Sequence, residues 1–155
     1  MFQVHASTLE SYLNFDRERR ADLVKLSALI QEAAPNLRRY FHTGTPAGRP
    51  GMRMSMIGHG KFSYMARSGG ESISWPVVGV ALQLRYISVY VSTTRDGLPI
   101  VHAYKGALGE SRMGRNNFSF ERFDSLEAER VFELFAEVGR IFRADPQNPV
   151  RYKQS

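Results

Sequence analysis

The sequence predicts an α+β fold: a mainly antiparallel sheet of four to five strands packed against an N-terminal and a C-terminal helix. Two observations predict it. Apolar residues recur at helical spacings of three and four near both ends of the chain. Between them, apolar and polar residues alternate in short segments divided by Gly, Pro and Asp. Strands grouped between helices, rather than alternating with them, favour α+β over α/β.

The elements follow in order. Ser7-Thr8-Leu9-Glu10 has the form of a capping box, with Ser7 closing the end of a short helix and Glu10 reaching back. Asp16 caps a second helix predicted over 16–34, whose stripe is Leu23, Leu26, Ile30 and Ala33, with Leu37 just beyond. Pro35 ends it, because the residue before proline is pushed out of the helical region. "HTGTPAGRPG" is a breaker-rich loop. "MRMSMI" alternates, with Met52, Met54 and Met56 on one face, and "GHG" is read as a turn. "KFSYMA" returns with Phe62, Tyr64 and Ala66 aligned, completing a hairpin.

"SISWPVVGVAL" is a third strand, interrupted or edged at Pro76. "RYISVYVS" is the cleanest strand, with Ile87, Val89 and Val91 opposite Tyr86, Ser88 and Tyr90, and Asp96-Gly97 closes it. "LPIVHAYKGALG" reads as a short helix stopped by Gly109. "NNFSFERF" alternates again, pairing Phe118 with Phe120. Asp124-Ser125-Leu126-Glu127 is a second capping box. It opens a helix over 125–142 with the stripe Ala128, Val131, Phe132, Phe135, Val138 and Phe142. One domain over 1–143 and a frayed tail over 144–155 complete the expected organisation.

Composition narrows the function classes. The chain has 155 residues and no cysteine, so disulfides, thiolate metal sites and cysteine nucleophiles are excluded. No run approaches the ~20 apolar residues of a membrane span, and the N-terminus lacks the basic flank and apolar stretch of a secretory signal. The expected compartment is the cytoplasm. Net charge is +6, and its distribution is uneven: from Ala33 to Arg95 the only acid is Glu71, while the acids crowd into 121–137. Such a field steers an anionic partner towards the basic middle.

Three constellations invite chemistry. Gly109 and Gly114, followed by Arg115, stand one step from a phosphate-binding P-loop. The order is reversed, however: a helix ends at Gly109 and a strand follows, and Asn116 replaces the hydroxyl that would hold magnesium. The stretch is therefore read as a structural turn. A contact to an anion through its backbone and Arg112 or Arg115, together with Arg49 and Arg53, is the alternative. Glu129, Glu133 and Glu137 share one helix face, where they repel by roughly 0.2–0.5 kcal/mol per pair unless a cation neutralises them. Oxygen ligands of this kind suit a hard ion held weakly. Met52, Met54 and Met56 with His42 raise a soft copper site, although a methionine face packed on a helix is far commoner. His59, between two glycines, is expected to be exposed. No serine stands in a nucleophile elbow, and no nucleophile–base pair assembles.

Several of these segments together resemble the YdhG-like family, small bacterial domains of mostly unassigned function. The likeness runs from Thr8 to Phe142. It rests on "YL…RRADLVKLSALIQEAAPN", Gly44-Thr45-Pro46, Tyr64 followed by "WPVVGV", "YISVYV", and "LGESRMGRNNFSF" leading into the final helix. Arg115 keeps the charge of the family's Gly-Lys turn. Thr45 stands where the family more often has methionine, and Gln83 and Leu84 stand where it has a basic pair. The resemblance implies a frataxin-like arrangement of helices on one face of an antiparallel sheet. It also implies iron binding, since one relative is regarded as an intracellular iron chaperone.

The leading expectation is a non-catalytic, cytoplasmic binding domain with weak affinity for iron or another hard cation at Glu129, Glu133 and Glu137. The alternative is an anionic partner, either a phosphate-bearing small ligand or nucleic acid. It would be held by the basic middle through Arg49, Arg53, Gly109, Arg112, Gly114 and Arg115.

Overall fold

The structure, a computed structural model, describes residues 4–65 and 70–152. Helix α1 (Leu9–Leu13) is capped by Thr8 rather than Ser7, and the Thr8 hydroxyl accepts from the Ser11 N–H at 3.1 Å. Glu10 does not reach back; it bonds Asn14 and Arg20 instead. Helix α2 (Arg20–Ala33) starts four residues later than predicted. Asp16 organises the preceding turn, accepting from the Glu18 and Arg19 N–H groups and pairing with the Arg19 guanidinium at 2.7 Å. Leu23, Leu26, Ser27 and Ile30 form its buried face.

Strand β1 (Arg39–His42) is followed by the 43–55 loop and by β2 (Met56–Met65). The expected "GHG" turn is not a turn. β2 runs straight through it, because Gly58 and His59 pair with Tyr40 and Arg39 on one side and with Gly79 and Val78 on the other. Gly58 serves close approach: a Cβ there would stand 2.5 Å from the Tyr40 ring. Met52 and Met54 alternate and are buried, but they belong to the loop and not to a strand, and they pack on the sheet face away from the helices rather than on a helix. The turn to β3 (Ser72–Leu82), with Ala66, lies outside the described residues.

β4 (Ile87–Val91) precedes a two-stranded ribbon, β5 (Thr94–Arg95) and β6 (Leu98–Pro99), whose two-residue turn is Asp96-Gly97 at φ 54° and 78°. Positive φ at both central residues is what such a hairpin requires. The predicted helix over 98–109 is reduced to one 3₁₀ segment at Ile100–Tyr104. β7 (Arg112–Met113) and β8 (Asn117–Phe120) form the next hairpin. Helix α3 (Ala128–Ala144) begins three residues later than predicted. The second capping box does not form; the Glu127 N–H donates to the Leu108 carbonyl instead.

The main sheet has six strands in the order β1-β2-β3-β4-β8-β7, all pairs antiparallel, one more than the upper expectation. One face meets α2 and α3. Leu23, Leu26, Ile30, Val131, Leu134, Phe135 and Val138 pack there on Val78, Val80, Leu82, Ile87, Val89, Phe118 and Phe120.

The opposite face has its own core of Met52, Met54, Met56, Ile73, Trp75, Ala81, Tyr90 and Tyr152. The segment expected to be frayed helps to cover it. The Val150 N–H donates to the Ser92 carbonyl, the Thr94 N–H donates to Asn148, and Tyr152 stacks on Tyr90 with 5.2 Å between ring centroids. An aromatic ring that finds such partners stays with them. Residues 153–155 lie outside the described residues. Among the described residues, no helix is long and apolar enough to cross a membrane.

Candidate anion-binding site

At the β1 edge of the sheet, a cavity of about 440 Å³ is lined by Asn36, Arg38, Arg39, Tyr40, Gly60, Lys61 and Phe142. Each wall has a local cause. The Leu37 N–H donates to the Ala34 carbonyl, turning the chain out of α2, and the buried Leu37 side chain anchors Arg38 beside it. Asn36 donates to the Gly139 carbonyl at 3.0 Å, tying this turn to α3, which supplies Phe142. Gly60, at φ 74°, donates to the Arg38 carbonyl at 3.0 Å and closes the strand pairing at this corner. Lys61 follows, with its ammonium 4.2 Å from the centre of the Tyr40 ring.

Arg38, Arg39 and Lys61 are exposed, and no acid lines the cavity. Among the described residues, none of the three forms an ion pair. Their field reaches both neighbouring histidines. Burial, reinforced by Arg39, pushes the His59 imidazole down to about 4. Burial lowers His42 as well, the hydrogen bond to the Met52 carbonyl opposes the shift, and Lys61 adds to it. His59 is not exposed at a hairpin tip; it is fully buried, with Nε2 3.0 Å from the Ser27 hydroxyl.

Among the predicted anion-binding residues, Arg53 and Arg112 line different cavities. Arg49 and Arg53 lie in the 43–55 loop after β1, where Arg53 joins His5 and residues 43–47 around a separate cavity. Arg112 is in β7 and Arg115 in the loop after it, at the opposite edge of the sheet. Arg112 shares a cavity of about 420 Å³ with Arg122, Glu110, Glu121 and three serines, so two acids and two cations line it together. Arg115 offers its backbone carbonyl to His102 Nε2 at 2.9 Å. Gly109 is structural: at φ 89°, a Cβ would stand 2.5 Å from the Ser125 carbonyl oxygen. Gly114 sits against the Asn117 side chain and leads into β8, not into a helix.

The three glutamates do not make a ligand set for iron. Both Glu137 oxygens are engaged, one by the Tyr104 hydroxyl at 2.6 Å and the other by Arg95 at 3.2 Å. Burial and this hydrogen bond push Tyr104 up to about 12. Glu133 pairs with Arg130 at 3.1 Å. Among the described residues, no group of three or more His, Asp or Glu could hold a metal. The methionines are likewise committed, with Met54 sulfur facing Gln83 and Met56 sulfur facing the Tyr152 hydroxyl, each at 3.9 Å.

Arg38, Arg39 and Lys61 all belong to the basic middle of the chain, yet none of the three is among the residues the sequence singles out for an anion. The signal present was the basic–aromatic run Arg38-Arg39-Tyr40-Phe41. Comparison with family models, with curated proteins and with solved structures finds no match for this chain.

Proposed function

We propose that this chain is a non-catalytic binding domain that takes a phosphate-bearing ligand in the cleft formed by Arg38, Arg39 and Lys61. The observation that carries it is a formed cavity lined by three cations and no acid, with none of the cations paired within the described residues. Guanidinium groups present forked donors that match phosphate oxygens, and the ammonium adds a mobile point charge. The Asn36 and Gly60 contacts hold the corner in place, so little order has to be created on binding. Iron binding, by contrast, is supported only by the resemblance to the YdhG-like family.

The test is the salt dependence of affinity for tripolyphosphate and for a short single-stranded oligonucleotide. Each phosphate contact on a single strand contributes a slope of ~0.7 in log affinity against log salt. Arg38→Ala and Lys61→Ala should each weaken binding and lower that slope by about one contact, while Arg112→Ala should leave it unchanged. Unaltered affinity and slope in both cleft variants would refute the proposal. Tight binding of the oligonucleotide with none of tripolyphosphate would move the ligand class to nucleic acid.

A further inference from the structure

A second concave surface lies between α2 and α3 and has the opposite character. Its volume is about 680 Å³, and its lining is Lys25, Ala28, Leu29 and Glu32 from α2 with Phe123, Ala128, Glu129, Phe132 and Glu133. Lower down, the two helices converge: a Cβ on Gly139 would stand 2.8 Å from that of Ala34. The groove opens N-terminal to this contact. Its floor is apolar, with half-buried Leu29, Phe123 and Phe132, and exposed Val24 lies one turn from Ala28.

Charge rims the floor. Glu32 stands on one wall and Glu129 and Glu133 on the other. Lys25, the single cation in the lining, is already matched by Asp124 at 3.8 Å, and Glu133 by Arg130. Glu32 and Glu129 have no ion pair among the described residues. A hard metal ion prefers a cage of oxygen ligands to this apolar surround. A long cationic side chain lays its stem on apolar surface and places its head at a carboxylate. An anionic membrane would be repelled by the same rim.

We infer that the α2/α3 groove docks a basic amphipathic helix of a partner protein. The partner's apolar stripe would lie on Leu29, Phe123 and Phe132, and lysines or arginines flanking the stripe would meet Glu32 and Glu129. Helices seat in two-helix grooves through residues at i, i+3, i+4 and i+7. The net charge of +6 opposes a basic partner at long range. Recognition therefore acts within a Debye length of ~8–10 Å, at the groove itself.

The probe is a fluorescent Leu/Lys peptide of about five helical turns (~18 residues) with leucines at helical spacing, followed by anisotropy at low salt. One control replaces lysine with glutamate; a second replaces leucine with serine. Wild type should bind the Leu/Lys peptide saturably and both controls at least tenfold more weakly. Glu32→Lys/Glu129→Lys, at two exposed positions, should lose at least tenfold in affinity while melting at the wild-type temperature. Leu29→Ser should weaken binding through the floor alone. Equal binding by the double variant, or equal binding of the Lys/Ser peptide, would overturn the proposal. Wild-type self-association abolished by Leu29→Ser would also overturn it, by making a second copy the occupant.

Discussion

The basic cleft and the acidic face of α3 carry similar numbers of charges and treat them in opposite ways. Arg39 and Lys61 come from two paired strands and Arg38 from the turn before β1, and among the described residues none of them forms an ion pair with an acid. Glu129, Glu133 and Glu137 come from one helix at regular spacing, and two of the three are answered by Arg130, Arg95 and Tyr104. Spacing along a helix shows which charges are neighbours. Whether a charge is already compensated is decided by what folds against it, and for Glu137 that is a residue of the β5–β6 ribbon and another of the 3₁₀ segment. A ligand is drawn to charge left unanswered, which is why the proposed site is the cleft although the stripe is easier to see.

The largest effect that sharpens this contrast lies behind the cleft, at His59. Its imidazole is held neutral by burial and by the neighbouring Arg39, down to about 4 against an ordinary 6.5. The unfolded chain binds a proton between those values and the folded chain does not. Stability is therefore full above pH ~6.5 and falls as pH drops towards 4, by roughly 3 kcal/mol in total. Urea unfolding of wild type and His59→Gln should show a stability difference that shrinks from pH 7 to pH 4.5. His42 shifts in the same direction and remains in both proteins, so it cancels from the difference. A difference independent of pH would mean that His59 titrates normally and that the field assigned to its surroundings is wrong.

On the acidic face, Glu137→Gln should cost about 1 kcal/mol, since it weakens a charge-assisted hydrogen bond and an ion pair at a half-buried position. That corresponds to about 2–4 °C in melting temperature for a chain of this size. Tyr104→Phe should remove much of the same effect, and the double variant should lose less than the sum. Strict additivity would show that the two side chains do not act together.

The smallest effect is expected at Glu129. It is exposed and has no ion pair among the described residues. Glu129→Gln should move stability by less than about 0.5 kcal/mol, and ferrous iron should shift the melting of neither protein. A shift with iron in wild type that disappears in Glu129→Gln would restore the carboxylate stripe as a metal site and erase the contrast.

Legibility in the sequence followed regularity of structure. The α2 and α3 stripes and the strands near 72–82, 87–91 and 117–120 were visible because one side of each packs on a regular layer. Periodicity records that packing directly. The opposite face of the sheet is covered by the 43–55 loop and by residues up to Tyr152, whose backbones repeat nothing. Met52 and Met54 alternate as if in a strand because their sulfurs must reach the same core, and Tyr152 gives no periodic signal at all.

Glycine misled in the same way. "GHG" has turn composition, yet Gly58 is needed for the Tyr40 ring that lies against it, a reason found only once β1 is in place. A bend at 58–60 would also take Lys61 away from Arg38 and Arg39, which the antiparallel pairing of β1 with β2 instead brings together. Arg112 and Arg115 stand in a glycine pattern that belongs to the β7–β8 hairpin, while Arg49 and Arg53 stand out only by composition. Neither criterion carries information about which cavity an arginine lines.

Where a phosphate lands on this molecule is the most direct question to put to it. Tripolyphosphate titrated at low salt, with backbone amide resonances followed residue by residue, answers it. The account predicts saturable shifts centred on residues 36–40 and 59–62, absent in Arg38→Ala/Arg39→Ala/Lys61→Ala, with the 109–122 and 44–53 regions still. Shifts centred on Arg112 and Arg122, or on Arg49 and Arg53, and unchanged in the triple variant would contradict it.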